Sequence, residues 1–245
     1  MAFDNHCITP PTYFKVTDLT MIFQMIVDTY GIPTYQEASP VLVSMVTFPF
    51  MFGMMFGDMG HGSIILMMGL FLTLMADKLR STALAPALMG RYILLMMGFC
   101  STYCGFIYNE FFALSLNLFD SCYDLESRTQ QETAGVPYGE YTYMRKGYEC
   151  NYPMGVDPVW ALSTNKLTYT NNIKMKLAVI FGVLHMTIGI LIKGTNTLYH
   201  RQWASFVTEV IGGLIILLFL IGFMDVLIFL KWFEPLDIDT PEGAI

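Results

Sequence analysis

The stretch that decides the fold is Phe48-Pro-Phe-Met-Phe-Gly-Met-Met-Phe-Gly-Asp-Met-Gly-His-Gly62, an aromatic and Met-rich run that ends near an acid, Asp58, and an imidazole, His61. A second apolar run, Ser63 to Ala76, follows at once. A charged side chain placed in hydrocarbon costs about 2.5–3.5 kcal/mol on insertion scales, so these two residues need water or a specific polar partner. The glycines around them allow the backbone to turn tightly. The stretch therefore predicts two membrane-embedded helices joined by a polar turn.

The composition places the whole chain in a bilayer. Of its 245 residues 54% are hydrophobic and 13% are charged, whereas a soluble domain carries about 25% charged residues. The net charge of −7 is concentrated before residue 40, in the middle of the chain and after residue 233. No extensive basic region is present, which argues against a nucleic-acid partner. We interpret the chain as a polytopic membrane protein whose immediate surroundings are membrane lipids.

The hydropathy pattern predicts an all-α fold with five crossing helices, because a crossing needs about 20 mostly apolar residues. The first two segments are short, so we expect a tight helical hairpin, with partial insertion as the alternative. Ahead of them, Thr20–Tyr30 has the spacing of an amphipathic helix at the membrane interface. The five predicted crossings are Pro40–Gly57, His61–Ala76, Arg91–Leu114, Lys176–Ile192 and Val207–Trp232.

The same pattern divides the chain into regions on either side of the membrane. Lys and Arg in short loops mark the cytosolic side, and the basic loops are Asp77–Gly90 and Lys193–Trp203. Lys174 and Lys176, at the opposite end of the fourth helix, weaken this asymmetry without reversing it. The predicted regions are a cytosolic or interfacial segment (1–39), the hairpin and third helix (40–114), a luminal loop (115–173), the fourth and fifth helices (174–232) and a luminal acidic tail (233–245).

Asp58 and His61 are the leading candidates for a functional site. They are three residues apart, so they would share a face of a continuous helix or cap the flanking helix ends in a turn. One interpretation is a polar pocket that handles protons or holds a partner helix. The other is a capped turn at the membrane surface, with Asp58 near a helix N-terminus. The sequence leaves both open.

Other ionisable residues in or next to the predicted helices are further candidates for a proton path or polar pocket: Lys174, Lys176, His185 and Asp225. His185 could equally be a hydrogen-bonded packing residue. Asp225 is the deepest acid and must face protein or water.

The cysteines of the chain suggest no metal site. In the loop, Cys122 and Cys150 could form a disulfide if the loop faces a lumen, or remain free thiols. Cys100 and Cys104 are one helical turn apart and are expected to be small packing residues, because no further metal ligands accompany them. We also find no nucleotide-binding loop or hydrolase motif.

Several motifs together resemble subunit a of the vacuolar-type proton ATPases. The opening stretch is similar to the first membrane hairpin of that family. Gly90-Arg-Tyr-Ile-Leu-Leu-Met-Met-Gly-Phe-Cys-Ser-Thr-Tyr-Cys-Gly-Phe-Ile-Tyr-Asn-Glu110 resembles its third helix, and Tyr152-Pro-Met-Gly-Val-Asp-Pro-Val-Trp160 resembles its luminal loop. Lys174-Met-Lys-Leu177 is similar to the entry of its fourth helix. The resemblance runs in order from about residue 10 to Trp232.

The resemblance implies a non-hydrolytic stator of the membrane V0 sector of a rotary, ATP-driven proton pump in an acidic organelle such as the vacuole. It implies a bundle of eight helices, of which this chain would contain five, and no cofactor. The implied partners are the proteolipid c-ring, other V0 subunits and the V1 sector through a large N-terminal domain. The chain would then be a fragment, a separately encoded piece or an incompletely determined subunit, and the arginine that separates the two proton paths would lie outside it.

Two features bear on this interpretation. Asp225 stands where the family is expected to have an apolar residue, so the resemblance assigns it no role. The small residues Gly98, Ser101, Gly105 and Gly189 are expected to pack against later helices of the bundle. The alternatives are a secondary transporter with a site among Asp58, His61 and His185, which would predict inverted repeats, and an intramembrane enzyme, for which no paired catalytic residues are found.

Overall fold

A computed structural model describes residues 13–33, 35–82, 85–125, 143–145, 150–162 and 166–233. Most of these residues are helical, as the sequence predicts. The helices are α1 (Met21–Asp28), α2 (Val41–Met55), α3 (Met59–Leu74), α4 (Ala76–Leu79), α5 (Arg91–Tyr108), α6 (Lys166–Tyr199) and α7 (Trp203–Phe233). Apart from Phe233, the predicted acidic tail lies outside the described residues.

Among the residues that the structure describes, three helices are long and apolar enough to cross a membrane. They are α5 with the 3₁₀ turn before it, Ala85–Tyr108, and the two long helices α6 and α7. Helices α2 and α3, with 15 and 16 residues, are apolar but shorter. Helix α7 is continuous but contains two π-helical stretches, Phe206–Ile211 and Leu217–Gly222.

The ends of two predicted helices are corrected by the structure. Helix α5 ends at Tyr108 rather than Leu114, because Asn109 adopts the left-handed conformation (φ 59°, ψ 35°) that commonly closes a helix. Helix α6 begins at Lys166 and ends at Tyr199, beyond both predicted ends. Lys174, Lys176 and Lys193 therefore lie inside a helix rather than at its ends or in a loop.

Within the described residues, two small antiparallel ladders add to the predicted all-α fold. Strands β1 (Glu110–Phe111) and β2 (Leu114–Ser115) form a hairpin directly after α5. Strands β3 (Tyr123–Leu125) and β4 (Tyr143–Arg145) pair within the predicted luminal loop. Chain beyond a membrane helix can form such ladders because water is available to the outer backbone groups.

The chain divides into two compact units, Phe52–Ile173 and Met1–Met51 with Lys174–Ile245. In the first unit α3 and α5 run antiparallel in close contact, and glycines on both helices make this possible. A Cβ at Gly98 would lie 2.4 Å from the backbone N of Leu66, and one at Gly62 would lie 2.6 Å from that of Thr102. Ser101, between them, is fully buried. Small residues of this kind let helix backbones approach closely in membranes.

The partner of these small residues differs from the prediction. We expected Gly98, Ser101 and Gly105 to pack against later helices, but they contact α2, α3 and the turn between them. The expectation came from the spacing of small residues, which shows that a helix is approached closely without naming the approaching element. Gly189, the fourth residue of that set, has no atom within 4 Å of an added Cβ.

The second unit contains α1, the first part of α2, most of α6 and α7. The Asn196 side chain joins α6 to the segment before α2, accepting from the Ala38 N–H (2.9 Å) and donating to its carbonyl (3.2 Å). Lys193 of α6 forms an ion pair with Glu209 of α7 at 2.6 Å. These polar contacts lie at one end of the two long helices, while Phe50 and Phe181 meet edge to face further along.

The long helices bury little of their own apolar surface. In the most apolar windows of α6 and α7 only 6% of the residues are buried. An apolar surface of this extent is stable next to lipid or other protein, but not in water. The low burial therefore agrees with the membrane class predicted from composition.

Candidate functional site at the Asp58 turn

Asp58 caps the helix that follows it. It is extended (φ −144°, ψ 125°), and its Oδ1 accepts a hydrogen bond from the His61 N–H at 2.9 Å. The first N–H groups of a helix have no partner within the helix, and an Asp at this position supplies one. The geometry is that of the capped turn, one of the two interpretations left open by the sequence.

The same carboxylate binds a second element 54 residues later in the chain. Oδ1 also accepts from the Phe112 N–H (3.1 Å), and Oδ2 accepts from the Ala113 N–H (2.9 Å). Phe112 and Ala113 are the two central residues of the β1–β2 turn. Asp58 therefore joins the α2–α3 connection to the chain that leaves α5.

The β1–β2 turn has a backbone conformation that its residues disfavour. Phe112 and Ala113 have φ of 48° and 61°, as a two-residue hairpin of type I′ requires. Asn and Gly are the usual residues there, since a left-handed L-residue costs roughly 1–2 kcal/mol. The Asp58 carboxylate offsets this cost by accepting both N–H groups of the turn.

His61 lies against the same turn. Its ring meets the Phe112 ring edge to face at a centroid distance of 5.0 Å, and that of Phe56 at 6.0 Å. Its Nδ1 is 3.3 Å from Asp58 Oδ2, and half of its side chain is exposed. The imidazole thus lies between the Asp58 carboxylate and the rings of Phe56 and Phe112.

Two opposing effects set the pKa of Asp58. Burial raises the pKa of the carboxyl, but hydrogen bonds from the backbone of His61, Ala113 and Phe112 and from the His61 side chain outweigh burial, so the pKa lies below its usual range. Hydrogen bonds to the charged form stabilise the carboxylate. A carboxylate held in this way suits a fixed structural anion better than a group that gains and loses a proton at neutral pH.

Side chains of α5 complete the connection to the end of α2. The Ser101 hydroxyl donates to the Phe56 carbonyl at 2.6 Å, and the Tyr108 hydroxyl donates to the Met54 carbonyl at 3.1 Å. The last carbonyls of a helix lack partners within the helix, so these hydroxyls satisfy groups that would otherwise be costly to bury. The end of α2, which leads into the turn, is therefore held to α5 by two side chains.

Residues 150–157 contact the C-terminal end of α5. Asn109 donates from Nδ2 to the Tyr152 hydroxyl (3.0 Å) and the Val156 carbonyl (3.3 Å). The buried Asp157 accepts from the Ser121 hydroxyl (2.7 Å) and from the Cys122 N–H (3.1 Å). These contacts position the loop against α5.

The sulfur atoms of Cys122 and Cys150 are bonded, which links the segment before β3 to the one after β4. Further along, Lys166 at the start of α6 donates from Nζ to the Ala113 carbonyl at 3.2 Å. The turn of β1–β2 is thus contacted by the Asp58 carboxylate on its N–H groups and by a lysine on one of its carbonyls.

Cys100 and Cys104 are free thiols within α5.

The remaining predicted site residues do not belong to this arrangement. Lys174, Lys176, His185 and Asp225 lie in the other compact unit, on α6 and α7. The His185 Nδ1 and Asp225 Oδ1 atoms are buried and have no hydrogen-bond partner among the described residues. Among all the residues that the structure describes, no three His, Cys, Asp or Glu side chains are grouped as a metal site would require.

Sequence reasoning missed four residues that build the site: Tyr108, Asn109, Asp157 and Lys166. The only local signal was Asn109, since Asn after an apolar helix is a known helix terminator. The other three act on partners between 35 and 54 residues away. No local pattern identifies such partners.

Comparison with known proteins identifies the family. The sequence profile of the V-type ATPase 116 kDa subunit family matches residues 3–243 of the 245. The chain belongs to the V-type ATPase 116 kDa subunit family. The resemblance inferred from the motifs is therefore confirmed.

Relatives of this V-type ATPase subunit chain occur in distant organisms. It is 41% identical over 93% of its length to the vacuolar proton translocating ATPase 100 kDa subunit of Dictyostelium discoideum. It is 40% identical to V-type proton ATPase subunit a3 of Arabidopsis thaliana and 37% identical to V-type proton ATPase 116 kDa subunit a 1 of Mus musculus, each over 91% of its length. The chain spans 27–28% of the length of these relatives.

Proposed function

We propose that this chain is part of the stator, subunit a, of the membrane V0 sector of a vacuolar-type proton-pumping ATPase. In that role it is a non-hydrolytic component that contributes to proton translocation and to acidification of an organelle. The observation that carries the proposal is the family match over residues 3–243. The apolar helices and the small charged fraction are what a membrane sector requires.

We infer five membrane-embedded segments: α2, α3, α5, α6 and α7, as part of an eight-helix bundle. At about 1.5 Å per residue, the 15 and 16 residues of α2 and α3 extend about 23 and 24 Å. This is less than the hydrocarbon thickness of about 30 Å, so the turn between them lies at or just inside one interface. Water near an interface lowers the cost of ionised Asp58.

The arrangement across the membrane follows from the positive-inside rule. In this proposal Lys78, Arg80 and Arg201 are cytosolic, and the α2–α3 turn, the β1–β2 hairpin and the loop with the Cys122–Cys150 disulfide are luminal. Disulfides persist in oxidising compartments, which supports the luminal side for this loop. We propose the same location relative to the membrane as in the sequence analysis for each of the five regions: 1–39, 40–114, 115–173, 174–232 and 233–245.

The Asp58 turn has a mechanical role in this proposal. A stator must hold its helices in fixed positions beside a moving ring, and the turn fastens the first hairpin to the end of α5 through Asp58, Ser101 and Tyr108. The proposed partners are the proteolipid c-ring and other V0 subunits, with the V1 sector contacted through further parts of the subunit. Lys174, Lys176, His185 and Asp225, on α6 and α7, are proposed as members of a proton path or a polar pocket.

Affinity purification and a proton-pumping assay test the proposal together. The chain, tagged and produced in the cells that contain it, is purified from membranes in mild detergent, and proteolipid and V1 subunits are identified by mass spectrometry. Vesicles from the same cells are assayed for ATP-driven acidification with a pH-sensitive dye. We expect co-purification of the proteolipid, and slower acidification with Asp58→Ala than with the exposed control Asp77→Asn. A tagged chain that recovers no ATPase subunits would refute the proposal.

A further inference from the structure

An open cleft of about 300 Å³ lies between the disulfide-linked loop and the start of α6, within the compact unit Phe52–Ile173. Aromatic rings, the Asp157 side chain and the Cys122–Cys150 disulfide line it, and we call it the aromatic cleft. The rings belong to Tyr123, Tyr152, Trp160 and Tyr169. Small-molecule sites have volumes of about 300–1,000 Å³, so the aromatic cleft is large enough for a small ligand.

The rings of the aromatic cleft lie in two nearly perpendicular orientations. Trp160 stacks on Tyr169, with ring centroids 4.7 Å apart and an interplanar angle of 18°. Tyr123 meets Trp160 edge to face, at a centroid distance of 6.1 Å and an angle of 71°. Rings in two such planes can contact one ligand from two sides. The face of an aromatic ring is electron-rich and attracts cations, so this lining favours a positively charged ligand.

The charge of the lining points to the same class of ligand. The buried Asp157 carboxylate accepts from the Ser121 hydroxyl (2.7 Å) and the Val159 N–H (3.0 Å) through Oδ1. Its Oδ2 accepts from the Cys122 N–H at 3.1 Å. These donors are all neutral, and among the described residues no Lys, Arg or His lines the aromatic cleft. Because a buried charge is costly unless it is paired, and because charges interact over several ångströms in a protein, a cation in the cleft offsets that of Asp157.

The hydrogen bonds of Asp157 restrict the kind of cation. Donors of the chain already occupy both carboxylate oxygens, so Asp157 offers a ligand its charge more than a free acceptor. A primary ammonium brings three N–H donors that need acceptors when it leaves water, whereas a quaternary ammonium brings none. We propose that the aromatic cleft binds a trimethylammonium group, held by the rings of Tyr123 and Trp160 and by the charge of Asp157. Free choline and choline phospholipids both carry this group, and the proposal is independent of the role assigned to the subunit.

Choline is the probe, added to the purified full chain in nanodiscs of phosphatidylglycerol and phosphatidylethanolamine, which carry no trimethylammonium group. Trp203→Phe and Trp232→Phe leave Trp160 as the sole tryptophan, so the emission of this parent chain reports on the aromatic cleft. We expect choline to change the emission saturably. Dimethylbutanol, the uncharged analogue with carbon in place of the nitrogen, should compete at least fivefold more weakly, because it has choline's shape without its charge.

Variants of single rings locate the site. Tyr123→Leu removes one wall and should weaken choline binding about threefold, whereas Tyr123→Phe keeps the ring and should bind nearly as the parent chain does. Phe119 lies earlier in the same loop and contacts Tyr152 but does not line the aromatic cleft. Phe119→Leu is therefore the matched control and should leave binding unchanged. Equal loss of binding in Tyr123→Leu and Phe119→Leu would contradict the site.

The role of the charge is tested with Asp157→Asn, which should lower the preference for choline over dimethylbutanol, whereas a loosened cleft would weaken both ligands alike. The source of the group is tested by replacing phosphatidylethanolamine with phosphatidylcholine. A severalfold fall in the apparent affinity for choline identifies the lipid headgroup as the ligand, and an unchanged affinity identifies the free compound. In the parent chain, equal competition by dimethylbutanol, or tighter binding of ethanolamine than of choline, would overturn the proposal, whatever the folding of the variants.

Discussion

At the scale of single residues, Asp58 determines how the first hairpin is fastened. It accepts one hydrogen bond that caps α3 and two that hold a left-handed turn 54 and 55 residues away. Ionised carboxylates form stronger hydrogen bonds than neutral acceptors, roughly twofold in energy. The arrangement therefore depends on the charge of Asp58 as well as on its shape.

We expect Asp58→Asn to lower the free energy of unfolding by about 1–2 kcal/mol at pH 7, because an Asn side chain presents an NH₂ group to one of the N–H donors. The difference from wild type should depend on pH. The pKa of Asp58 is lower in the folded chain than the ordinary value near 4, so its stabilisation is fully present above that value and is lost as the pH falls through the folded pKa.

Titration with SDS in mixed micelles at a series of pH values between 7 and 3 measures this difference. It should be constant down to about pH 5 and should shrink below about pH 4. Asp77→Asn, on the exposed first turn of α4, serves as the control and should change stability little. A difference that grows as the pH falls would contradict the assignment.

At the scale of elements, close packing of α3 on α5 and the strained hairpin after α5 belong to one structure. Glycines let the helices approach, the approach places Asp58 beside the end of α5, and Asp58 then stabilises a turn whose own residues disfavour it. Strain of this kind persists only where the surrounding structure supplies compensating contacts. The hairpin sequence alone, with Phe112 and Ala113 at its tip, does not predict a type I′ turn.

The strain at the tip leads to a second prediction. Ala113→Gly should raise the free energy of unfolding by about 1 kcal/mol, because glycine adopts positive φ at little cost. The Ala113 N–H and carbonyl that contact Asp58 and Lys166 are retained in this variant. Ala178→Gly, within α6, is the opposite-sign control and should destabilise by about 1 kcal/mol. A loss of stability in both variants would show that the left-handed conformation is not strained in solution.

The helix contact leads to a third prediction. A Cβ at Gly105 would lie 2.2 Å from the Met59 N, which is far too close for any two such atoms. Gly105→Ala should therefore move α3 and the turn, at a cost of about 1–3 kcal/mol. At Gly212 in α7 an added Cβ meets nothing within 4 Å, so Gly212→Ala should be neutral or stabilising by up to about 1 kcal/mol. SDS titration measures the free energy of unfolding of each variant, and hydrogen exchange at Phe112 and Ala113 shows whether the turn has moved. Equal free energies and equal exchange in Gly105→Ala and Gly212→Ala would exclude the close contact.

At the scale of the whole molecule, the described helices expose many large apolar side chains. Large side chains on α6 and α7, such as Leu191, Phe219 and Phe223, are half or more exposed. Within a bilayer this surface contacts lipid or neighbouring helices, so the stability of the chain depends on its surroundings as well as on its own packing. The polar turn at Asp58 and the disulfide-linked loop are the parts that need water.

Orientation is the property of the whole molecule that is most directly testable. We expect a cysteine introduced at Ser81 to react with an impermeant maleimide from the cytosolic side, and one introduced at Ser63 to react from the luminal side. The reason is the excess of Lys and Arg around Ser81. Labelling of sealed vesicles and of permeabilised vesicles, each measured against the parent chain, distinguishes the two faces. Reaction of Ser81→Cys from the lumen would reverse the proposed orientation.

The sequence by itself determined the class of the protein, the approximate position of each apolar helix and the family. These properties depend on single segments or on the sum over the chain. A long run of apolar residues is most stable as a helix removed from water, and this holds whichever element packs beside it. The motif from Phe48 to Gly62 likewise predicted a polar turn, because an acid between two apolar runs needs a partner. The identity of that partner was not in the motif.

The tertiary structure alone decided which groups meet. Asp58 binds Phe112 and Ala113, Tyr108 binds Met54, and Gly105 contacts Met59 because two helices approach at one specific register. The contacts of Asn109 with Tyr152 and Val156 depend in the same way on elements distant in sequence. Hydrophobic periodicity reports that a face is covered, but which backbone covers it is fixed by packing across the whole fold.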